Sequence, residues 1–361
     1  MQRRDFIRGF GVSSVALGAA FGGIGTAHAR TEYKWKLVTT WPTNFPGLGT
    51  GASRLAALIG EMSGGRIEIQ VHGAGDLVPT YGVFDAVARG DAEMGHGSAY
   101  YWKAKSPATQ FFSSVPFGMP AQKMNAWLYF GGGLELWTEL YGRFGLIPAP
   151  AGNSGVQMGG WFNREIKSVK DLKGLKMRIP GLGGEVLARA GGIPVNLPGS
   201  DLFAALQNGL IDATEWVGPY NDLAFGLYKV ARYYYYPGWH EPGTVMEAIL
   251  NKAAYEALPT DLQSIIMNAC KVVNQEMLAE YTARNPVALQ TLIAKHEVTL
   301  RRFPHDVIVR LRALTDEVLT GLARKDELSA RIYASYRKFQ TQSQDWDEIS
   351  DLADRLARDP A

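Results

Sequence analysis

The residues best placed to do chemistry close short strand-like runs. Lys176-Met177-Arg178-Ile179 reads as a strand whose arginine is followed at once by a Pro180-Gly181 turn. Ile211 to Trp216 is stopped by Gly218-Pro219, which puts Glu215 and Trp216 at a strand's C-terminal edge, where open α/β sheets bind ligands. Upstream, Gly152-Asn153-Ser154-Gly155-Val156-Gln157 alternates small and amide residues. Aromatic residues cluster at Tyr100-Tyr101-Trp102 and at Tyr233 to Tyr236. Tyr101 follows the strand-end loop Gly95-His96-Gly97-Ser98 and is placed to wall a small-molecule cavity. The four-tyrosine run alternates between the faces of a strand and reads mainly as core. These are the parts of a binding site. His72, His96 and His240 are isolated, with no H-E-x-x-H pair or G-x-S-x-G elbow, and Gly181-Leu182-Gly183-Gly184 lacks the Lys-Ser/Thr of a phosphate loop.

The elements that must position these residues follow from periodicity. Tyr33 to Thr39 alternates as a strand, Ala52 to Met62 has the spacing of a helix ended by Gly64-Gly65, and Ile67-Ile69-Val71 alternates again. Phe84 to Gly90 followed by Asp91-Ala92-Glu93 resembles Phe203 to Gly209 followed by Asp212 to Glu215, each a short helix stopped by glycine and feeding a strand. Two related α/β lobes are expected, since the chain also exceeds what one core usually serves. The first comprises residues 30–151 with part of 241–303, and the second residues 152–240. Ala253 to Asn285 reads as a helix, interrupted by Pro286 and resumed from Val287 to His296. Residues 304–361 form a helical region in which Ile332, Tyr336, Phe339, Ser343, Trp346 and Ser350 trace a heptad seam. Such a seam covers either its own lobe or a second subunit.

The N-terminus carries an address. Arg3-Arg4 precedes an uncharged Gly/Ala-rich stretch and then Ala27-His28-Ala29, the pattern of a twin-arginine signal peptide over residues 1–29. Without Arg3, Arg4, Arg8 and Asp5, the 37 basic and 35 acidic residues become 34 and 34, a neutral chain with no basic patch for nucleic acid. The single cysteine, Cys270, excludes an intrachain disulfide and reads as a small buried hydrophobe.

The Ser168-x-x-Asp171-Leu172-Lys173-Gly174-Leu175-Lys176-Met177-Arg178 run and Gly209-x-Ile211-Asp212-Ala213-x-Glu215, with the order of segments around them, resemble the DctP-type solute receptors of TRAP transporters. Gln157, the Arg178 to Gly184 run and Glu215 to Asp222 are similar to the subgroup that binds 2-oxo or 2-hydroxy monocarboxylates. The resemblance implies a two-lobed periplasmic-binding-protein-like α/β fold with the ligand cleft between the lobes and long C-terminal helices. It implies a ligand site of Tyr101, Asn153, Gln157, Arg178 and Trp216, in which the Arg178 fork suits a carboxylate. It further implies Na⁺ or Ca²⁺ held by Gln157, Glu215 and the Trp216 carbonyl, an all-oxygen set suited to a hard cation. Glu241 stands where a further acid approaches in similar proteins, or is simply a solvated turn residue before Pro242. Partners implied are TRAP membrane subunits and a second copy of the chain through a swapped terminal helix. Pyruvate, other 2-oxo acids and lactate stay open as ligands, as does another organic acid. The competing class is a Tat-exported enzyme using Glu215 as a base.

Overall fold

The computed structural model describes residues 31–358; the twin-arginine segment lies outside the described residues. Eleven strands fall in two sheets: β1 (Tyr33–Thr39), β2 (Ile67–His72), β3 (Met94–Gly97), β4 (Leu146–Asn153), β5 (Gly160–Phe162), β6 (Lys176–Arg178), β7 (Ile193–Val195), β8 (Ala213–Thr214), β9 (Tyr233–Tyr236), β10 (Val245–Asn251) and β11 (Thr299–Arg302). The first sheet runs β2-β1-β3-β10-β4, and the second runs β7-β6-β8-β5-β9-β11. In each, the first three strands are parallel and the fourth is antiparallel to both its neighbours. The lobes therefore share one topology, with β3 and β8 in the same central place. Each of those two strands follows a short helix, Val83–Arg89 or Leu202–Gln207, that ends at a left-handed glycine, Gly90 or Gly209.

Two helices differ from their sequence pattern. The helix after β1 starts at Leu48, a turn earlier than its apolar spacing indicates. Its first turn is glycine because the chain is crowded there: a Cβ on Gly49 would lie 2.1 Å from the Pro42 carbonyl, and one on Gly51 would lie 2.4 Å from Met277. Farther along, Thr260–His296 is one helix that passes through Pro286, separated by Pro259 from the short helix Lys252–Glu256. Pro286 and Thr282 are exposed, so water can take the carbonyl that the missing N–H leaves free. Leu262, Ile266 and Cys270 of this helix join the apolar cluster under β1 and β10, whereas Met277, Tyr281 and Leu292 join the cluster of the second lobe. The helix thus links the lobes. Burial pushes the Cys270 thiol up to about 12, in keeping with an inert core residue.

Helices His305–Ala323 and Glu327–Ile349 pack across both lobes, the first on helix Gly181–Arg189 and the second on helix Gly133–Gly142. Ile332 and Tyr336 of the seam are buried there, and the Tyr336 hydroxyl accepts the Met119 N–H at 2.9 Å. Beyond them the helix leaves the body: Trp346 of the seam is 66% exposed and its neighbour Ile349 73%. Among the described residues no helix is long and apolar enough to cross a membrane.

One buried acid belongs to the first lobe alone. Glu247 on β10 is fully buried and accepts the Tyr141 hydroxyl at 2.7 Å and the Trp102 indole N–H. Burial outweighs those two donors and raises its pKa from 4.5 to about 8. The folded state therefore holds a proton that the unfolded chain releases, and stability falls as pH rises from 4.5 to about 8. Glu247→Gln keeps the shape of the neutral acid without its titration. Its stability relative to wild type should rise across that window by up to about 1.4 kcal/mol per pH unit, measured by urea unfolding at a series of pH values. Parallel pH profiles for the two proteins would show that Glu247 is ionised in the fold.

Candidate functional site

Strands β1, β3, β4, β6 and β8 end at the junction of the lobes, and the residues just past those ends form the site. On β6 and β8, Arg178 pairs with Thr214, and the Glu215 N–H donates to the Arg178 carbonyl at 3.2 Å. That register sets the two side chains side by side, each 1% exposed, as an ion pair between Arg178 Nη1 and Glu215 Oε1. Arg178 Nε donates to the Leu197 carbonyl at 3.2 Å, Nη1 also reaches the Glu215 carbonyl at 3.2 Å, and the guanidinium stands 5.1 Å from the centre of the Trp216 ring. Burial alone would lower the arginine's pKa, and the Glu215 carboxylate more than reverses this, so Arg178 stays charged.

Two further loops are stitched onto this pair. The Gln157 N–H donates to the Glu241 carbonyl at 3.1 Å, and the Met158 N–H to the Val217 carbonyl at 3.0 Å. Gln157 Nε2 donates to Ser154 Oγ at 3.1 Å and Thr244 Oγ1 at 3.2 Å, which turns its Oε1 away from both. Thr244 in turn donates to Glu241 Oε2 at 2.6 Å. Glu241 is 3% exposed, so it is no solvated turn residue. Burial and the nearby Glu215 carboxylate raise its pKa well above the ordinary range. His240, isolated in sequence, stands here with Nε2 3.5 Å from Glu215 Oε2, and ligand atoms of Glu215, His240 and Glu241 all lie within 4.8 Å of one another.

Besides both ring nitrogens of His240, the unpaired atoms of this centre are of two kinds. Gln157 Oε1, Glu215 Oε2 and Glu241 Oε1 are buried acceptors with no protein donor. Arg178 Nη2, Asn153 Nδ2 and Trp216 Nε1 are buried donors with no protein acceptor. Left bare, each such group costs about 1–3 kcal/mol. The oxygens fit a hard cation and the donors fit an anion, so the residues present suit both together.

A narrow cavity with about 10 Å³ of free space lies against this centre. Its lining combines polar Arg178 and Gln157, aromatic Trp41, Tyr100, Tyr101 and Trp216, and apolar Leu48, Val217 and Met246. It is far smaller than the roughly 300–1,000 Å³ of sites for drug-sized ligands, so it suits a molecule of a few heavy atoms at most. Burial pushes the Tyr100 and Tyr101 hydroxyls up, and both remain protonated. Asn153, Glu215 and Glu241 are not on the wall; Glu215 reaches it through Arg178, and Glu241 through Thr244 and Gln157. Asn153 accepts the Gly155 N–H at 2.8 Å, shaping the turn that delivers Gln157. His96 is structural: it accepts the Trp41 indole N–H at 2.8 Å and donates to the Ala151 carbonyl at 3.1 Å, and burial lowers its pKa to about 4.

Sequence reasoning missed Trp41, Leu48, Tyr100, His240, Thr244 and Met246. The strand-end rule that singled out Tyr101 would have found Trp41 past β1 as well. Met246 carries no local signal, because it opens an antiparallel strand.

The family model of bacterial extracellular solute-binding protein, family 7 (DctP), matches residues 37–326. The chain belongs to that family. As a DctP-family receptor it works outside the cytoplasm, binding a solute rather than transforming it. It is 44% identical over 322 residues to the monocarboxylate 2-oxoacid-binding periplasmic protein of Nostoc sp., covering 89% of this chain and 87% of that one. A TRAP periplasmic solute-binding protein of Pseudoalteromonas atlantica, solved with sodium and pyruvate bound, is 45% identical with a TM-score of 0.87 over 89% of this chain and 98% of that one. One from Bordetella bronchiseptica, solved as a dimer with calcium and picolinate in one site, is 37% identical with a TM-score of 0.89 over 91% and 98%.

The buried pair makes the receptor's stability depend on Glu215. Glu215→Gln leaves the Arg178 charge buried without its counter-charge, a loss of about 3–5 kcal/mol. Urea unfolding of the ligand-free protein should report it; an unchanged free energy would mean that the pair is open in solution.

Proposed function

We propose that the ligand is a small 2-oxo or 2-hydroxy monocarboxylate, with pyruvate the best fit, bound together with Na⁺ or Ca²⁺. The observation that carries this reading is the meeting of orphaned donors and orphaned oxygens in one buried centre beside a small cavity. Arg178 Nη2 offers the carboxylate a charge-assisted bond, while Tyr101 and Trp216 orient it and exclude water. Gln157, Glu215, Glu241 and the Trp216 carbonyl hold the cation, which supplies positive charge to the carboxylate and 2-oxo oxygens of the ligand. Asn153 keeps its place in the ligand set through its free Nδ2. The relatives bound to pyruvate and to calcium with picolinate support this chemistry.

The wider assignment extends from the same family. The receptor delivers its ligand to TRAP membrane subunits, and Arg3-Arg4 with Ala27-His28-Ala29 directs export by the twin-arginine route. The chain pairs as a homodimer through the terminal helix, where Trp346, Ile349 and Leu356 leave the body exposed at 66%, 73% and 62%. The dimeric Bordetella relative supports that reading. Sedimentation of the mature chain should give a dimer that Trp346→Glu converts to monomer; a wild-type monomer at all concentrations would exclude it.

Calorimetric titration with 2-oxo and 2-hydroxy acids tests the site. Arg178→Met should cost about 2–5 kcal/mol of affinity, roughly 30- to 4,000-fold. Chelation and dialysis into buffer free of Na⁺ and Ca²⁺ should weaken wild-type binding, and adding each ion back separately identifies the one used. Full affinity in the Arg178→Met protein, or indifference to every cation, would remove the arginine or the ion from the site.

A further inference from the structure

Outside the ligand cavity one polar side chain joins three segments of the fold. Asn221, fully buried, lies on the short helix Pro219–Phe225 that follows Glu215 and Trp216. Its Nδ2 donates to the Pro46 carbonyl of the first lobe at 2.8 Å, and its Oδ1 accepts the hydroxyl of Tyr281 on the linking helix at 2.6 Å. Because a carbonyl can only accept, the amide orientation is set: nitrogen to Pro46, oxygen to Tyr281. The next residue, Asp222, anchors the same helix within the second lobe by accepting the Tyr234 hydroxyl at 2.7 Å and the Trp161 indole at 3.0 Å. One helix thus grips its own lobe with Asp222 and reaches the other with Asn221.

The Pro46 carbonyl has a second donor, the Leu48 N–H at 2.8 Å, and Leu48 is one of the apolar residues lining the cavity from the first lobe. The intervening Gly47 has φ +70, and a Cβ there would lie 2.5 Å from the Tyr281 hydroxyl, so the loop rests directly on that tyrosine. Phe45 closes the same seam, 4.5 Å between ring centres from Phe225 and 6.1 Å from Trp216.

Resting on the proposed 2-oxo acid reading, we propose that Asn221, oriented by Tyr281, is a positioning residue that sets ligand residence and the size of the ligand's carbon substituent. Its bond to Pro46 spans the two lobes, so it forms as they close and must break before the ligand leaves. Through the shared carbonyl it also fixes Leu48, an apolar residue of the cavity lining. Neither residue lines the cavity itself.

Stopped-flow tryptophan fluorescence with pyruvate, 2-oxobutyrate and 2-oxopentanoate, in excess of the bound cation, tests this on wild type, Asn221→Ala and Tyr281→Phe. Both variants should release pyruvate roughly 3- to 10-fold faster, the weight of one hydrogen bond, with association unchanged. The rise should shrink as the acid lengthens, narrowing the preference between short and long chains. Tyr281→Phe loses only a hydroxyl and serves where Asn221→Ala fails to fold. Wild-type release rates, or a loss equal for all three acids and carried by slower association, would reduce Asn221 to an ordinary structural residue while leaving the ligand class intact. A wild type that binds none of the three acids would overturn the ligand class and this proposal with it.

Discussion

The buried pair of Arg178 and Glu215 is the constraint on which the rest of the site depends. Both charges are withdrawn from water, a loss of several kcal/mol per ion before their mutual attraction is counted. The surroundings offset it with fixed dipoles: the Leu197 and Glu215 carbonyls on the guanidinium, and the Trp216 ring beside it. Only a tight β6–β8 register presents the two side chains together at a strand edge. Arg178 still has one free nitrogen and Glu215 one free oxygen, so the pair is saturated on its inner side and reactive on its outer side. That half-satisfied state is costly in an ordinary core and useful at a binding site.

The duplicated topology turns this local arrangement into a cleft. Two sheets of the same strand order present their ligand-binding edges to one another, and the chain crosses between them at Asn153 to Gly160, at Tyr236 to Val245 and along the linking helix. The first two crossings pass through the site: one delivers Gln157 and the other His240 and Glu241. The residues of the proposed site are thus also the residues about which the lobes are joined. The proposed ligand site and the junction of the lobes therefore share the same few bonds.

The C-terminal helices divide the seam between two tasks. Tyr336 is held between Trp127 and Phe111 and hydrogen-bonds Met119, so the first half of the seam is core of this chain. In the second half Trp346 is an apolar residue without a surface to cover. The heptad spacing is continuous across both, because periodicity records that a face is apolar and not what it meets.

The features legible in the sequence were those that depend on near neighbours. Alternation, glycine stops and Pro-Gly turns marked the strand edges, and so pointed to Arg178, Glu215, Trp216 and Tyr101 as residues at ligand-binding ends. The repeat of a helix, a glycine and a strand foretold two related lobes, and β3 and β8 do occupy matching places. Pro286 misled, since its cost depends on whether solvent can reach the carbonyl it frees, and that is a property of the packed helix. His240 and Glu215 stand 3.5 Å apart, yet 25 positions, with a helix and strand β9 between them, separate them in the chain. Met246, Leu48 and Asn221 reach the cleft or its rim from three different elements, with no common motif. Only tertiary structure could join them, because strand register and the crossing of the chain between lobes decide which distant side chains share one buried space, and neither is written in local spacing.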